Sequence, residues 1–228
     1  VTAGAVYNGF AYFAAPEIVS ASMDASGTSI FVEFDQHTNR AEMSASTNNC
    51  GIILDQACIG QLGAGAACIW GSDRSLLILL GSDASVVPGP SSTIEIAVGI
   101  LKSKNEVSGY SEAIAIVSAP QLAQAPAFSA MGPGTIDPCG DLEITTSYSS
   151  LRPLTFEWGC LNDEGLAQAI RTNTGQSLYL ASGTAEMSEV DKEYQITIRA
   201  TNFLGASSDL LVFTVLKKGS PAPVVMFD

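Results

Sequence analysis

Apolar residues along this chain recur in short runs, separated by Gly, Pro, Ser and Asn. In the clearest run, Tyr194 to Arg199, the residues Tyr194, Ile196 and Ile198 point one way. Gln195, Thr197 and Arg199 point the other, the period-two signature of a half-buried strand. Further strands are predicted at Ile18 to Met23, Ile30 to Phe34, Leu76 to Leu80, Ile94 to Val98 and Ile114 to Val117. Later strands fall at Leu142 to Thr145, Thr155 to Trp158 and Leu210 to Leu216. Long helical periodicity is absent; Asp55 to Leu62 and Asn162 to Ile170 suit only a turn or two of helix. Many short strands with turn residues between them predict an all-β chain of β-sandwiches.

Proline sets the domain plan. Pro16, Pro120 with Pro126, and Pro221 with Pro223 each precede an apolar stretch, at intervals that suit one immunoglobulin-like sandwich. Proline stiffens such connectors and removes their backbone donors. The expectation is two tandem immunoglobulin-like β-sandwich domains, at 15–119 and 126–217. An apolar, strand-like N-terminal arm (1–14) precedes them, and a tail or linker (218–228) that resembles the start of a further domain follows. The chain begins on Val1 rather than Met, which implies processing or a start within a longer sequence.

Charge is scarce and lopsided. Ten Lys and Arg face 23 Asp and Glu, for a net charge of −13. That composition opposes nucleic acid, whose phosphates need clustered cations, and anionic lipid surfaces. Much of the polar surface must therefore be hydroxyl, and no N-x-S/T sequon occurs. Glycans on this chain would be O-linked, with the hydroxyls near Pro88 to Thr93 the expected place. No segment reads as a membrane span; Cys50 to Trp70 comes nearest but is interrupted by Asp55, Gln56 and Gln61.

Five cysteines, at 50, 58, 68, 139 and 160, form no C-x-x-C pair, which excludes zinc-ribbon and thioredoxin readings. Cys139 and Cys160 flank a predicted strand, a spacing that suits a disulfide between neighbouring strands. In the first domain Cys58–Cys68 is the preferred pair, with Cys50–Cys68 the alternative. Disulfides favour an extracellular or cell-surface location.

Phe156-Glu157-Trp158 resembles the central strand of a PKD or other immunoglobulin-like module, with Trp158 as its core tryptophan. The run from Tyr194 to Gly205 resembles that family's paired strands, and Asp191 ahead of Tyr194 resembles a tyrosine corner. Across residues 18–160 the chain is similar to the receptor-for-egg-jelly (REJ) module of polycystin-like ectodomains. The match runs through Ile30 to Asp35, then Cys58, Leu62-Gly63, Cys68-Ile69-Trp70, Leu77 to Gly81 and Val87-Pro88-Gly89. It continues through Pro120, Pro126, Gly132-Pro133, Cys139 to Leu142 and Trp158. The resemblance implies tandem extracellular sandwiches, no common enzymatic activity and no cofactor.

Candidate chemistry is sparse. His37, the one histidine, lies in the loop Asp35 to Asn39, and no G-x-S-x-G elbow accompanies it, so a surface loop is the simpler reading. Gly63-Ala64-Gly65-Ala66 lacks the G-K-[ST] of a phosphate loop. The acidic group Glu186, Glu189, Asp191 and Glu193 lacks the D-x-D-x-D-G pattern of a calcium loop. Neither a catalytic site nor a metal site is expected. Trp70, Trp158 and Tyr194 are expected in cores rather than on ligands. The arm is the oddity, because it is uncharged and apolar on both strand faces. Val1, Ala3, Ala5, Tyr7, Ala11 and Phe13 lie on one face, and Val6, Phe10 and Tyr12 on the other. Such a segment reads as a strand covered on both sides, either the first strand of its own domain or a strand added to a neighbouring copy, with Val224 to Phe227 as the alternative arm. A head-to-tail contact of that kind builds a homopolymer. The expected function is a non-enzymatic extracellular filament subunit. The alternative is a fragment of a polycystin-like receptor or adhesin that binds protein or glycan.

Overall fold

The computed structural model describes residues 13–44 and 46–219. Arm residues Val1, Ala3, Ala5, Val6, Tyr7, Phe10 and Tyr12, and the tail from 220 onward, lie outside the described residues. The chain divides between Gln124 and Ala125 into two compact units, each built mainly of β-strands.

The first unit contains β1 (Ile18–Met23), β2 (Ser29–Phe34), β3 (Ala67–Ser72), β4 (Ser75–Leu79), β5 (Gly89–Glu95) and β6 (Ile114–Ser118). They form one sheet in the order β3-β4-β2-β1-β6-β5, in which only β1 and β6 run parallel. Its inward face supplies Met23, Ile30, Val32, Phe34, Leu76, Ile78, Ile94 and Val117, all buried. A short helix, α1 (Gln56–Leu62), packs against β5, with Cys58 and Leu62 turned into the core. Asp55 starts it by accepting the Ala57 N–H at 2.8 Å, the capping geometry that satisfies an orphan donor.

The second unit has two sheets. One contains β10 (Thr155–Cys160), β12 (Lys192–Thr201), β13 (Leu211–Lys217) and β8 (Thr135–Ile136), in that order. The other contains β11 (Ser177–Leu180), β9 (Leu142–Tyr148) and β7 (Phe128–Met131). A second short helix, α2 (Glu164–Ile170), packs on β10 and is capped by Asp163. The period-two run of β12 buries Tyr194, Ile196, Ile198 and Ala200 completely. Trp158 lies across from Ile198 in the register of β10 with β12, and its indole N–H donates to Gly175 O at 3.0 Å. Tyr194 is buried, and its hydroxyl donates back to Glu189 O at 3.4 Å, the tether of a tyrosine corner. Phe156 completes the core between Phe128 and Tyr148.

The disulfide pattern corrects the sequence reading. The bond is Cys50–Cys68, while Cys58, Cys139 and Cys160 are free. Backbone pairing sets this. Cys68 N–H donates to Asn48 O at 2.9 Å and Asn49 bridges Ala67, so the turn carrying Cys50 lies directly beside β3. Cys58 is instead committed to the core face of α1, where burial pushes its thiol pKa up. Cys139 and Cys160 do not pair: Cys139 lies in the turn ahead of β9, and Cys160 ends β10 in the other sheet. Cys139 is exposed, and the Cys160 thiol contacts Asn162 Oδ1 at 3.3 Å. Closing an 18-residue separation, Cys50–Cys68 contributes about 3 kcal/mol on the chain-entropy view.

Trp158→Ala removes a large buried aromatic and is expected to lower the stability of the second unit by about 3–5 kcal/mol. Urea unfolding followed by circular dichroism reads this as an earlier transition.

Candidate functional site

His37 does not belong to a triad. It is exposed, and among the described residues no serine hydroxyl bonds to its ring. Its nearest charged neighbour is Asp73, at 3.8 Å from Nδ1. Among the described residues no cluster of metal-ligating side chains occurs. No helix among them is long and apolar enough to cross a membrane.

Around Asp73, however, the first unit gathers its cations. Residues 1–124 hold eleven Asp and Glu but only four Lys and Arg: Arg40, Arg74, Lys102 and Lys104. All four sit on three loops tied together at one end of the sheet. Asp73 and Arg74 form the two-residue turn between β3 and β4. Thr38 N–H and Oγ1–H both donate to Asp73 O at 2.8 Å, and Phe34 N–H donates to Arg74 O at 2.9 Å. The third loop joins through Lys104 N–H to His37 O at 2.8 Å and Asn39 N–H to Lys102 O at 3.0 Å. Lys102 itself turns its ammonium over the Tyr110 ring, 4.3 Å from the centroid.

The Asp73 carboxylate is the charged hub. Its side chain is only 11% exposed; it accepts from Lys104 Nζ at 2.6 Å and from Arg40 through Nε at 2.6 Å and Nη2. The Lys104 hydrogen bond, then that of Arg40, holds the carboxyl pKa down to about 2. Reaching Asp73 places Arg40 in unusual backbone. Arg40, Ala41 and Glu42 have φ of 55°, 52° and 57°, three successive left-handed residues without a glycine. Such conformations are disfavoured and persist only where surroundings over-determine them. Here Asn39 Oδ1 supports the segment, accepting from Ala41 N–H at 3.2 Å and Lys102 N–H at 3.1 Å.

Beside the hub opens a cleft of about 350 Å³, lined by Phe13, Asp35, Gln36, His37, Arg74, Ser103, Lys104, Asn105 and Val107. Arg74 differs from Arg40 here. Its Nε and Nη2 donate to the neutral Phe34 carbonyl at 3.2 and 3.1 Å, and no carboxylate pairs with it among the described residues.

The outward face of the same sheet is apolar. The register aligns Ile69, Leu77 and Phe31 across β3, β4 and β2, with Leu79 one row away. Phe31 is 49% exposed, and Ile114 and Ile116 on β6 are 57% and 54% exposed. β3 is an edge strand; the segment at Asn48 and Asn49 pairs only with its start, leaving the edge from Ile69 to Ser72 open among the described residues. Trp70, expected in a core, is half-buried on this strand, 5.5 Å from the Phe34 ring, and its buried Nε1 has no partner among the described residues.

Sequence reasoning singled out His37 but neither Asp73 nor the cations around it. The available signal was that all four cations of the first 124 residues fall outside the predicted strands.

No family model matches the chain, and no curated protein matches it. Among solved structures it is similar to the fibronectin(III)-like modules of Clostridium thermocellum CbhA, at 8% identity over 89% of this chain and 94% of that one, with a TM-score of 0.31. It is also similar to Drosophila N-cadherin EC1-3, at 14% identity over 90% and 67% of the two chains, with a TM-score of 0.32. Chicken CNTN1 FN1-FN3 matches at 10% identity over 90% and 68%, with a TM-score of 0.26.

The Asp73 pKa makes a signed prediction. A carboxylate held at about 2, below its ordinary 3.8, adds stability above pH 3.8 that disappears as pH falls through about 2. Asp73→Asn is therefore expected to lower the first unit's melting temperature at neutral pH. That difference from wild type should shrink steadily in melts between pH 4 and pH 2.

Proposed function

We propose that this chain is a non-enzymatic structural subunit of an extracellular filament or surface appendage. Neighbouring copies join head-to-tail when the apolar arm of one adds as a strand to the first unit of the next. The observation that carries this reading is the outward row Ile69–Leu77–Phe31 beside the open edge of β3. An edge strand presents unpaired backbone groups, and soluble monomers usually blunt such edges with charge or proline. From Ile69 to Ser72 this edge carries neither, and its register shifts between Trp70 and Ser72. The uncharged segment 1–14 has the complementary character, with large apolar side chains on both faces. Covering each such side chain is worth about 1.5–3 kcal/mol, and main-chain bonds to the edge would fix direction. The Cys50–Cys68 disulfide supports an oxidising, extracellular setting. A hydroxyl-rich surface without sequons supports O-linked glycans as partners of the assembled protein.

A second reading is an REJ-like receptor or adhesin ectodomain that binds protein or glycan. The cation-lined cleft at His37, Arg74 and Lys104 favours it.

Two variants test assembly: deletion of residues 1–14, and Phe31→Lys on the outward face. Each is expected to give a folded monomer by sedimentation velocity under conditions where the unaltered chain forms filaments in electron micrographs. Filaments unchanged in both variants would overturn strand addition at this face.

A further inference from the structure

The cleft beside Asp73 combines three features that the assembly reading does not use. It has spare positive charge. Among its lining residues Arg74 and Lys104 are cationic and Asp35 is anionic, which leaves one unbalanced positive charge on the wall of a unit that is otherwise strongly acidic. The spare charge is best placed on Arg74. Its guanidinium lines the cleft and has given two donors to a neutral carbonyl, and the remaining donors of its planar fork match a carboxylate. Lys104 is pinned by Asp73 and 62% exposed, so it presents a second donor from a fixed position.

The remaining wall is neutral and mixed. Gln36, Ser103 and Asn105 carry amide and hydroxyl groups, while Phe13 and Val107 are apolar. Gln36 is held in place by donating through Nε2 to Ala14 O at 3.0 Å. A volume of about 350 Å³ is that of a small-ligand site. A cation fork for one carboxylate, amides for several hydroxyls and an aromatic wall for an apolar ring face together describe a carboxylated sugar ring. The loops are also pre-set. Three left-handed residues at Arg40 to Glu42 are held by Asp73 and Asn39 before any ligand arrives, which reduces the ordering cost of binding.

We infer that the cleft lined by Phe13, Gln36, His37, Arg74, Lys104 and Asn105 binds an acidic sugar of the uronic type, with the carboxylate on Arg74 and Lys104. This rests on the second reading above, glycan recognition, and it keeps Phe13, the last large residue of the arm, in the cleft of its own unit. Asp35 on the rim works against any anion, so the site favours a ligand that places one carboxylate toward Arg74 over a polyanion.

The test is titration of the full ¹⁵N-labelled chain with glucuronate, with glucose and inorganic sulfate as comparators, followed by amide chemical shifts. Glucuronate is expected to move the signals of residues 35–37, 74 and 103–107 in a saturable way, and glucose is not. Arg74→Gln and Lys104→Gln are each expected to weaken glucuronate binding about tenfold, the equivalent of one charge-assisted hydrogen bond. The melting temperature reports that each variant is folded; if Arg74→Gln is not, Lys104→Gln decides. Glucose binding as well as glucuronate overturns the acidic-sugar inference while keeping glycan recognition. Sulfate shifting the same signals with equal affinity shows a site that reads charge alone, and also overturns it. No saturable shift with either sugar overturns both readings together, and shifts confined to other residues overturn the assignment of the cleft.

Discussion

A β-sheet can bury one face against its own core, and the sheet of the first unit carries apolar side chains on both. Ile30, Val32 and Phe34 of β2 fill the interior, yet Phe31 lies between them on the outside, aligned with Leu77 and Ile69. The core side follows from the hydrophobic effect alone. The outer side does not stabilise an isolated unit, and it coexists with an edge left open past Ile69. The second unit meets the same constraint with two sheets facing each other, so that Tyr194, Trp158 and Phe156 are enclosed. The second unit thus packs two sheets against each other, while the first leaves the row Ile69, Leu77 and Phe31 on the outer face of its sheet.

Electrostatics shape the opposite feature of the first unit. A chain with 14% charged residues has few ion pairs to place, and four of its cations converge on the loops around one carboxylate. Asp73 acts as a fixture as well as a source of stability. It draws Arg40 through a left-handed turn and locates Lys104, and the adjoining Arg74 remains without a carboxylate partner among the described residues. Apolar sheet face and cation-lined loops are separate features of the first unit, one on the outer face of its sheet and the other at its loop end.

Much of the fold is legible in the residues. Period-two alternation marks β12, and the apolar runs at 18–23, 30–34, 76–80, 114–117 and 155–158 fall on strands within a residue or two. The two helical turns appear where Asp55 and Asp163 supply caps. What escapes is what depends on long-range pairing. β7 and β8 span only four and two residues, too few for a period to stand out in the sequence. The placement of β9 and β10 in different sheets defeats an argument for Cys139–Cys160 made from neighbouring positions. The hub at Asp73 joins residues 33 and 31 positions apart, through turns whose sequences are individually unremarked. No local pattern brings Arg40, Asp73 and Lys104 together; the hairpin and sheet order do.

The claim that the first unit's outer edge receives the apolar arm of a neighbour is read most directly by hydrogen–deuterium exchange. Amides of the full chain would be compared in its dilute monomeric and assembled forms. Assembly is expected to slow exchange at residues 1–14 and along Ile69 to Ser72 together, since both gain main-chain partners. Assembled protein in which those two segments exchange as fast as in the monomer would contradict it.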